Sequence, residues 1–460
     1  MRSLLPVVLA ALAPLAGACS SSSSHSSGPT GNDGGAGEAG VDASADTGGE
    51  AGGPKIEHVV VIIQENHSFD SYFGSWCTAA TGSNPTCTQG PSCCEAGPGK
   101  DPGSSTVPST LNDAFNAARD PNHTQACEVS EIDNGKMDAF VTSTVVSSGA
   151  GDGTCGSAQN LAYADSTTAQ KYWTLAQQGA LADRYFQPVA GASTSNDLYL
   201  ARARFVLLDD TSEPVAIGAA CSTTAQTMQF TDTTIGDLLD QASVPWAFYA
   251  EGYATMVADE KNGTCPTTVP SDCPYEIANY PCIYDPADDP FAFYKDLVDD
   301  PAHFKDYSAL ATDLSGGTLP AVVFVKPLGY KTEHPGYGDT VSAGETFVTD
   351  TLQAIQGSSV ASSTLVLVTW DESGGFFDHV APPPASTVDN QPYGARVPLL
   401  AVGPFARTGT ISHTTMEHSS IVKFIEYNWL GGQTGQLQGR DATVANIGSM
   451  LVTGSGIPEN

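Results

Sequence analysis

Hard oxygen donors stand directly after a run of β-branched residues at two places, one near each end of the chain. Glu57–Asp70 reads EHVVVIIQENHSFD and Thr364–Pro383 reads TLVLVTWDESGGFFDHVAPP. Each stretch taken alone is equally well a solvated acidic turn. Together they offer Glu65-Asn66 and Asp371-Glu372, and carboxylates crowded at one place repel one another unless a cation lies between them. A divalent metal held by Glu65, Asn66, Asp371 and Glu372 is therefore the economical reading. A hydroxyl for chemistry beside such a metal occurs in Gly191-Ala192-Ser193-Thr194-Ser195-Asn196-Asp197. A tight glycine turn with hydroxyls at a helix start is a ready anion site. It is also what helix capping selects, and one turn can do both.

The elements that must position these groups follow from apolar runs. Val59–Ile63 and Leu365–Thr369 predict strands buried on both faces, as in a parallel sheet. Ligands collect at the carboxyl ends of such strands. Further strands are predicted at Arg184–Val189, Pro245–Tyr249, Ala321–Val325 and within Gly394–Val402, with helices over Ala169–Asp183, Leu198–Leu207 and Glu417–Glu426. The fold class is α/β, with a mostly parallel central sheet between helices.

The E-N-H-S-F-D and D-E-S-G-G-F-F-D-H-V-x-P-P blocks resemble the bacterial phospholipase C and acid phosphatase family of phosphoesterases, from about Lys55 to Glu426. The resemblance implies an alkaline-phosphatase-like fold. The family's G-P-T-x-P-N-R block, with Thr or Ser as nucleophile, aligns on Gly191–Asn196 and picks Ser193. Asp120-Pro121-Asn122-His123, Glu333-His334-Pro335 and Asp378-His379 resemble further family blocks. They put His123, His334 and His379 forward as proton donors, and Asn196 and Asp378 as substrate-binding residues. His418 resembles an orienting or structural residue. Two departures stand out: Asp197 replaces an Arg and Asp288 a His, both expected as solvated carboxylates that make the pocket more negative.

The chain has 460 residues, 51 acidic against 18 basic, for a net charge of −33. That argues against nucleic acid and against electrostatic docking on anionic membranes. Residues 1–19 read as a secretory signal ending in a lipobox-like Ala16-Gly17-Ala18-Cys19, so membrane contact through a lipidated Cys19 is expected, or secretion if Cys19 is not lipidated. Residues 20–54 read as a Ser/Gly/Ala/Asp tether, and residues 55–460 as the catalytic domain. The ten cysteines beyond Cys19 read as disulfides in an exported chain, stapling loop insertions such as Trp76–Asn160.

These readings converge on an exported, metal-dependent hydrolase of phosphate esters working through a phospho-serine on Ser193. The metal is calcium, magnesium or manganese for hard oxygen ligands, and zinc or iron if a His joins. The partner is a phosphate-ester small molecule or a phospholipid head group. An acid phosphatase is favoured because the extra C-terminal domains of longer phospholipase C relatives are missing. Phospholipase C is the alternative, and a non-catalytic surface lipoprotein the reading from another class.

Overall fold

Val59–Ile63 and Leu365–Val368 are almost wholly removed from solvent, and the two runs pair as neighbours at the centre of an eight-stranded sheet. Its strands are β1 His58–Gln64, β2 Ala180–Ala182, β3 Trp246–Ala250, β4 Phe304–Asp306, β5 Val322–Lys326, β6 Thr364–Trp370, β7 Leu399–Val402 and β8 Thr410–Ser412. The spatial order is β8-β2-β7-β6-β1-β5-β3-β4. All neighbours are parallel except at β7, which runs antiparallel to β6 and β2. The computed structural model describes residues 55–149, 151, 153–207, 216–217, 229–264, 273 and 282–460. The expected signal and tether, and Cys19, Cys221 and Cys265, lie outside them.

Helices α1 Gln170–Gln178 and α3 Val341–Gln356 bury one face each, whereas α2 Ser193–Arg202 and α4 His418–Trp429 are buried all round over residues 195–202 and 418–426. Tyr172, Leu198, Val348 and Phe424 from these helices join the strand residues in one hydrophobic core. Continuous β-branched runs inside such a core are what a parallel sheet covered on both faces requires. The α/β class and mostly parallel sheet are as expected.

Three elements differ from their predicted form. Helix α1 stops at Gln178, because a Cβ on Gly179 would lie 2.0 Å from the Ala401 carbonyl oxygen. The chain then turns into β2, too short to carry a strand pattern. Within the strand predicted at Arg184–Val189 only Tyr185–Phe186 pairs, with Met416–Glu417. Helix α2 starts five residues earlier than predicted and ends at Ala203, whose φ of 55° is left-handed.

Cys77–Cys94, Cys87–Cys93, Cys127–Cys155 and Cys273–Cys282 form disulfides. Every cysteine among the described residues is thus paired. Disulfides place the folded chain in an oxidising, extracytoplasmic compartment. Among the described residues no helix is long and apolar enough to cross a membrane.

Candidate active site

Strand register builds the rim. Gln64 pairs with Trp370 at the last rung of the β1–β6 ladder, so Glu65-Asn66 and Asp371-Glu372 leave the sheet side by side. The backbone N–H of Asn66 donates to Asp371 Oδ1 at 3.0 Å, and the Glu372 N–H donates to the same oxygen at 2.7 Å. Gly374 makes the tight return possible: its φ is +62° and a Cβ there would sit 2.5 Å from the Asn66 carbonyl oxygen. His418, first residue of α4, donates from Nε2 to the Asp371 carbonyl at 2.7 Å and accepts from the Tyr185 hydroxyl. Burial holds its pKa down at about 4, so the ring is neutral where it joins Tyr185 to the Asp371 backbone.

Ser193 is brought to this rim as the first residue of α2. Its hydroxyl caps nothing, since no side chain caps that helix. Oγ instead lies 3.4 Å from Asn66 Oδ1 and 3.4 Å from Glu372 Oε1. The α2 N-terminus is therefore left to attract negative charge. Asn196, expected on the substrate, is spent on the turn. Its Nδ2 donates to the Gly191 and Ala192 carbonyls, and its Oδ1 accepts from Val189 N–H. It is a positioning residue for Ser193.

Two histidines complete the cluster. His123 Nδ1 is 2.8 Å from the Pro121 carbonyl and His334 Nδ1 is 2.8 Å from that of Pro335. A carbonyl can only accept, so in each neutral ring the proton sits on Nδ1 and Nε2 is bare. The bare Nε2 of His334 is 3.1 Å from Asn66 Nδ2, and that of His123 is 3.7 Å from Glu372 Oε1. Burial lowers the His123 pKa, with Asp120 opposing. In its neutral form each ring thus turns an unprotonated Nε2 to the site, which can take up a proton and later give it to a leaving oxygen. Asp120, His123 and His334 offer ligand atoms within 4.8 Å of one another.

The donor set fits a divalent cation. Ser193 Oγ, Asn66 Oδ1 and Glu372 Oε1 stand at separations too long for strong O–H···O bonds. Oxygen–oxygen edges of about 3.4 Å match ligation at about 2.4 Å. Asp371 Oδ2 is buried without a hydrogen-bond partner. Burial raises the Asp371 pKa to about 6, against the pull of Lys326, and pushes that of Glu372 well up. Carboxyls held in this way need a proton or a cation.

Glu65 makes an ion pair at the rim. Its Oε1 is 2.7 Å from the Lys326 ammonium, at the end of β5. Burial alone would raise its pKa, but Lys326 and then His334 outweigh that and hold it at about 2. Asp378 and His379 are not part of the Ser193 cluster at all. Asp378 Oδ1 accepts from Arg396 Nε at 2.8 Å, while Asp70 accepts from Arg396 Nη2 at 3.0 Å and pairs with His379 Nδ1 at 2.7 Å. His379 also faces Glu95. Arg396, wholly buried, supplies the cation of this second network, which ties the β6 loop to the β1 loop.

The expectation of solvated carboxylates at 197 and 288 is corrected too. Asp197 is fully buried, and neither carboxylate oxygen has a hydrogen-bond partner. The Asp288 side chain is 16% exposed and lies 3.9 Å from Lys326 Nζ. Burial raises the pKa of both.

Sequence reasoning missed Glu128 and Lys326. Glu128 accepts from Gly191 N–H, Gln187 Nε2 and Ser373 Oγ, so it joins the Ser193 turn to the β6 loop. It sits in a helix of the stapled insertion with no motif of its own. Lys326 was visible as a cation closing an apolar strand, the same pattern that revealed the carboxylates.

Residues 56–430 match the model of the Phosphoesterase family. The chain belongs to that family. It is 25% identical over 447 residues to Phospholipase C B of Mycobacterium tuberculosis, covering 86% of this chain and 77% of that protein. It is 24% identical over 410 residues to the Non-hemolytic phospholipase C of Pseudomonas aeruginosa, covering 81% and 53%. Among solved structures it is similar to a protein in the alkaline phosphatase superfamily from Vibrio parahaemolyticus, with TM-score 0.34 and 12% identity over 59% of this chain and 63% of that one. As a member of the Phosphoesterase family of phospholipase C type, the chain is a hydrolase.

Proposed function

We propose that this phosphoesterase is an exported phospholipase C-type phosphodiesterase that cleaves phospholipid head groups at a metal-assisted Ser193. The observation that carries the reading is the approach of Ser193 Oγ to Asn66 and Glu372 at a helix N-terminus. The names of the relatives favour phospholipase C over the acid phosphatase first expected. Lipidation of Cys19 would keep the enzyme at a membrane surface where its substrate lies.

Asn66, Asp371 and Glu372 would hold the metal, with Ser193 beside them and His123, His334 and Asp120 at its flank. The ion supplies charge neutralisation at a phosphoryl oxygen and a more acidic hydroxyl. Ser193 Oγ attacks phosphorus, and its proton passes to a bare Nε2 of the His123–His334 pair. That imidazolium returns the proton to the departing diacylglycerol oxygen. Water then cleaves the phospho-serine, releasing the phosphorylated head group and restoring the hydroxyl. The α2 N-terminus holds the phosphate during both displacements.

The test compares a choline phosphodiester with a phosphomonoester on the purified protein, before and after chelation. Faster, chelator-sensitive diester cleavage is expected. Faster monoester cleavage returns the acid phosphatase reading, and turnover of neither would leave a binding protein on an enzyme fold.

A further inference from the structure

Four carboxylates surround one buried ammonium at the rim. Strand β5 pairs with β1 through Ile62↔Val325, so Lys326 leaves its strand beside the end of β1 that carries Glu65. Its side chain is 3% exposed, with Nζ 2.7 Å from Glu65 Oε1 and 3.9 Å from Asp288 Oδ2. Asp197 and Asp371 lie within electrostatic range of the same ammonium. Both oxygens of Asp197 and Oδ2 of Asp371 are buried without hydrogen-bond partners.

Buried carboxylates of this number are unstable without positive charge among them. A lysine ammonium and a divalent ion are alternative ways to supply it, and they differ in consequence. The ammonium donates at about 2.8 Å and brings one charge. A hard divalent ion ligates at 2.0–2.6 Å and brings two charges. Where two divalent ions share a phosphoester site they stand about 3.5–4 Å apart, bridged by common ligands. Asp371 takes part on both sides: it accepts from the Asn66 and Glu372 N–H groups and lies within electrostatic range of Lys326.

We infer that the Lys326 ammonium is a built-in cation standing in the second cation position of the rim, so that this chain binds a single divalent ion where its carboxylates would otherwise accommodate two. The inference rests on the metal reading given under Proposed function. Lys326 acts through Glu65 and Asp288 and is a positioning residue. It holds Glu65 Oε1 at 2.7 Å and lies 3.9 Å from Asp288, so it supplies positive charge where Asp197 and Asp288 replace an expected Arg and His.

The test strips the full-length protein with chelator and titrates it with Mn2+, reading stoichiometry by elemental analysis after dialysis and spin coupling by electron paramagnetic resonance. Wild type should bind about one Mn2+ with an uncoupled spectrum, and K326R should do the same. K326M should bind about two, with the exchange-coupled spectrum of neighbouring ions. One ion in K326M at unchanged affinity overturns the inference and leaves the metal reading standing. Two ions in wild type also overturn it. No ion in wild type removes the metal reading and this inference with it. Should K326M not fold without metal, it is refolded in Mn2+. Recovery with two ions is the expected result, and failure to recover overturns the assignment.

Discussion

The N–H of Asn66 donates to Oδ1 of Asp371 at 3.0 Å across a separation of 305 residues. That bond, with the Glu372 N–H on the same oxygen, aims Oδ2 of Asp371 away from the backbone and leaves it without a partner. Two segments far apart in the chain thus leave one buried acceptor oxygen open at the rim.

Ser193→Ala should abolish turnover by about 10⁴-fold or more, as loss of an activated nucleophile does. The fold should be kept, because the hydroxyl caps no helix. Steady-state kinetics with a circular dichroism melt checks this. Retention of a tenth of the activity would exclude Ser193, and Thr194 would be tested next.

Metal content should follow the rim and not acidity in general. Asp371→Ala and Asn66→Ala should each lower bound metal several-fold, since each deletes an oxygen ligand. Asp289 caps its own turn, accepting from Phe291 N–H at 3.0 Å. Its change to Ala should cost about 1 kcal/mol of stability and leave metal occupancy alone. Elemental analysis of the three purified variants decides the matter; equal occupancy in all three would dissolve the shared site.

The buried pair of His379 and Asp70 should make stability depend on pH in a particular direction. Burial lowers the His379 pKa, but Asp70 more than offsets this and the net shift is upward. Burial raises the Asp70 pKa, and His379 with Arg396 more than reverses it. A raised histidine stabilises fully below its unfolded value near 6.5 and loses that contribution as pH rises through the folded value. A lowered aspartate stabilises above about 3.8 and loses its share as pH falls through the folded value. His379→Gln should therefore lower Tm most between about pH 4 and 6.5, and less at pH 9. Melts across that range check it, and an equal drop at all pH values would mean the ring acts by packing alone.

Thiol titration of denatured, unreduced protein should find almost no free thiol among the ten cysteines beyond Cys19. Eight of them are paired in the structure, and Cys221 with Cys265 would complete the set. Two free thiols in fresh material would show that this last pair does not form.

What could be read from the sequence was whatever repeats along one strand. The runs at Val59–Ile63 and Leu365–Thr369 announce buried parallel strands, and the donors after them announce the rim. The turn offered several hydroxyls and the resemblance to the family block put Ser193 forward; short blocks put His123 and His334 forward, and the structure brings all three to one rim. Side-chain direction was not legible. Asp378 and His379 stand only seven and eight residues after Asp371, yet Arg396 draws them into another network. Asn196 matches a substrate residue in type and is consumed by its own turn. Asp197 looked solvated because a lone Asp after a serine-rich turn usually is; only tertiary packing shows it buried.

Rung-by-rung pairing of β1 with β6 also has a consequence in time. A chain made from its N-terminus has Glu65, Asn66, His123 and Ser193 long before Thr364–Trp370 exists. Until that strand arrives, β1 lacks a central neighbour, and Asp371 and Glu372 are not there to meet Ser193. Pairing at this sequence separation is intrinsically late in folding. A nascent chain therefore cannot assemble the rim until strand β6 has been made.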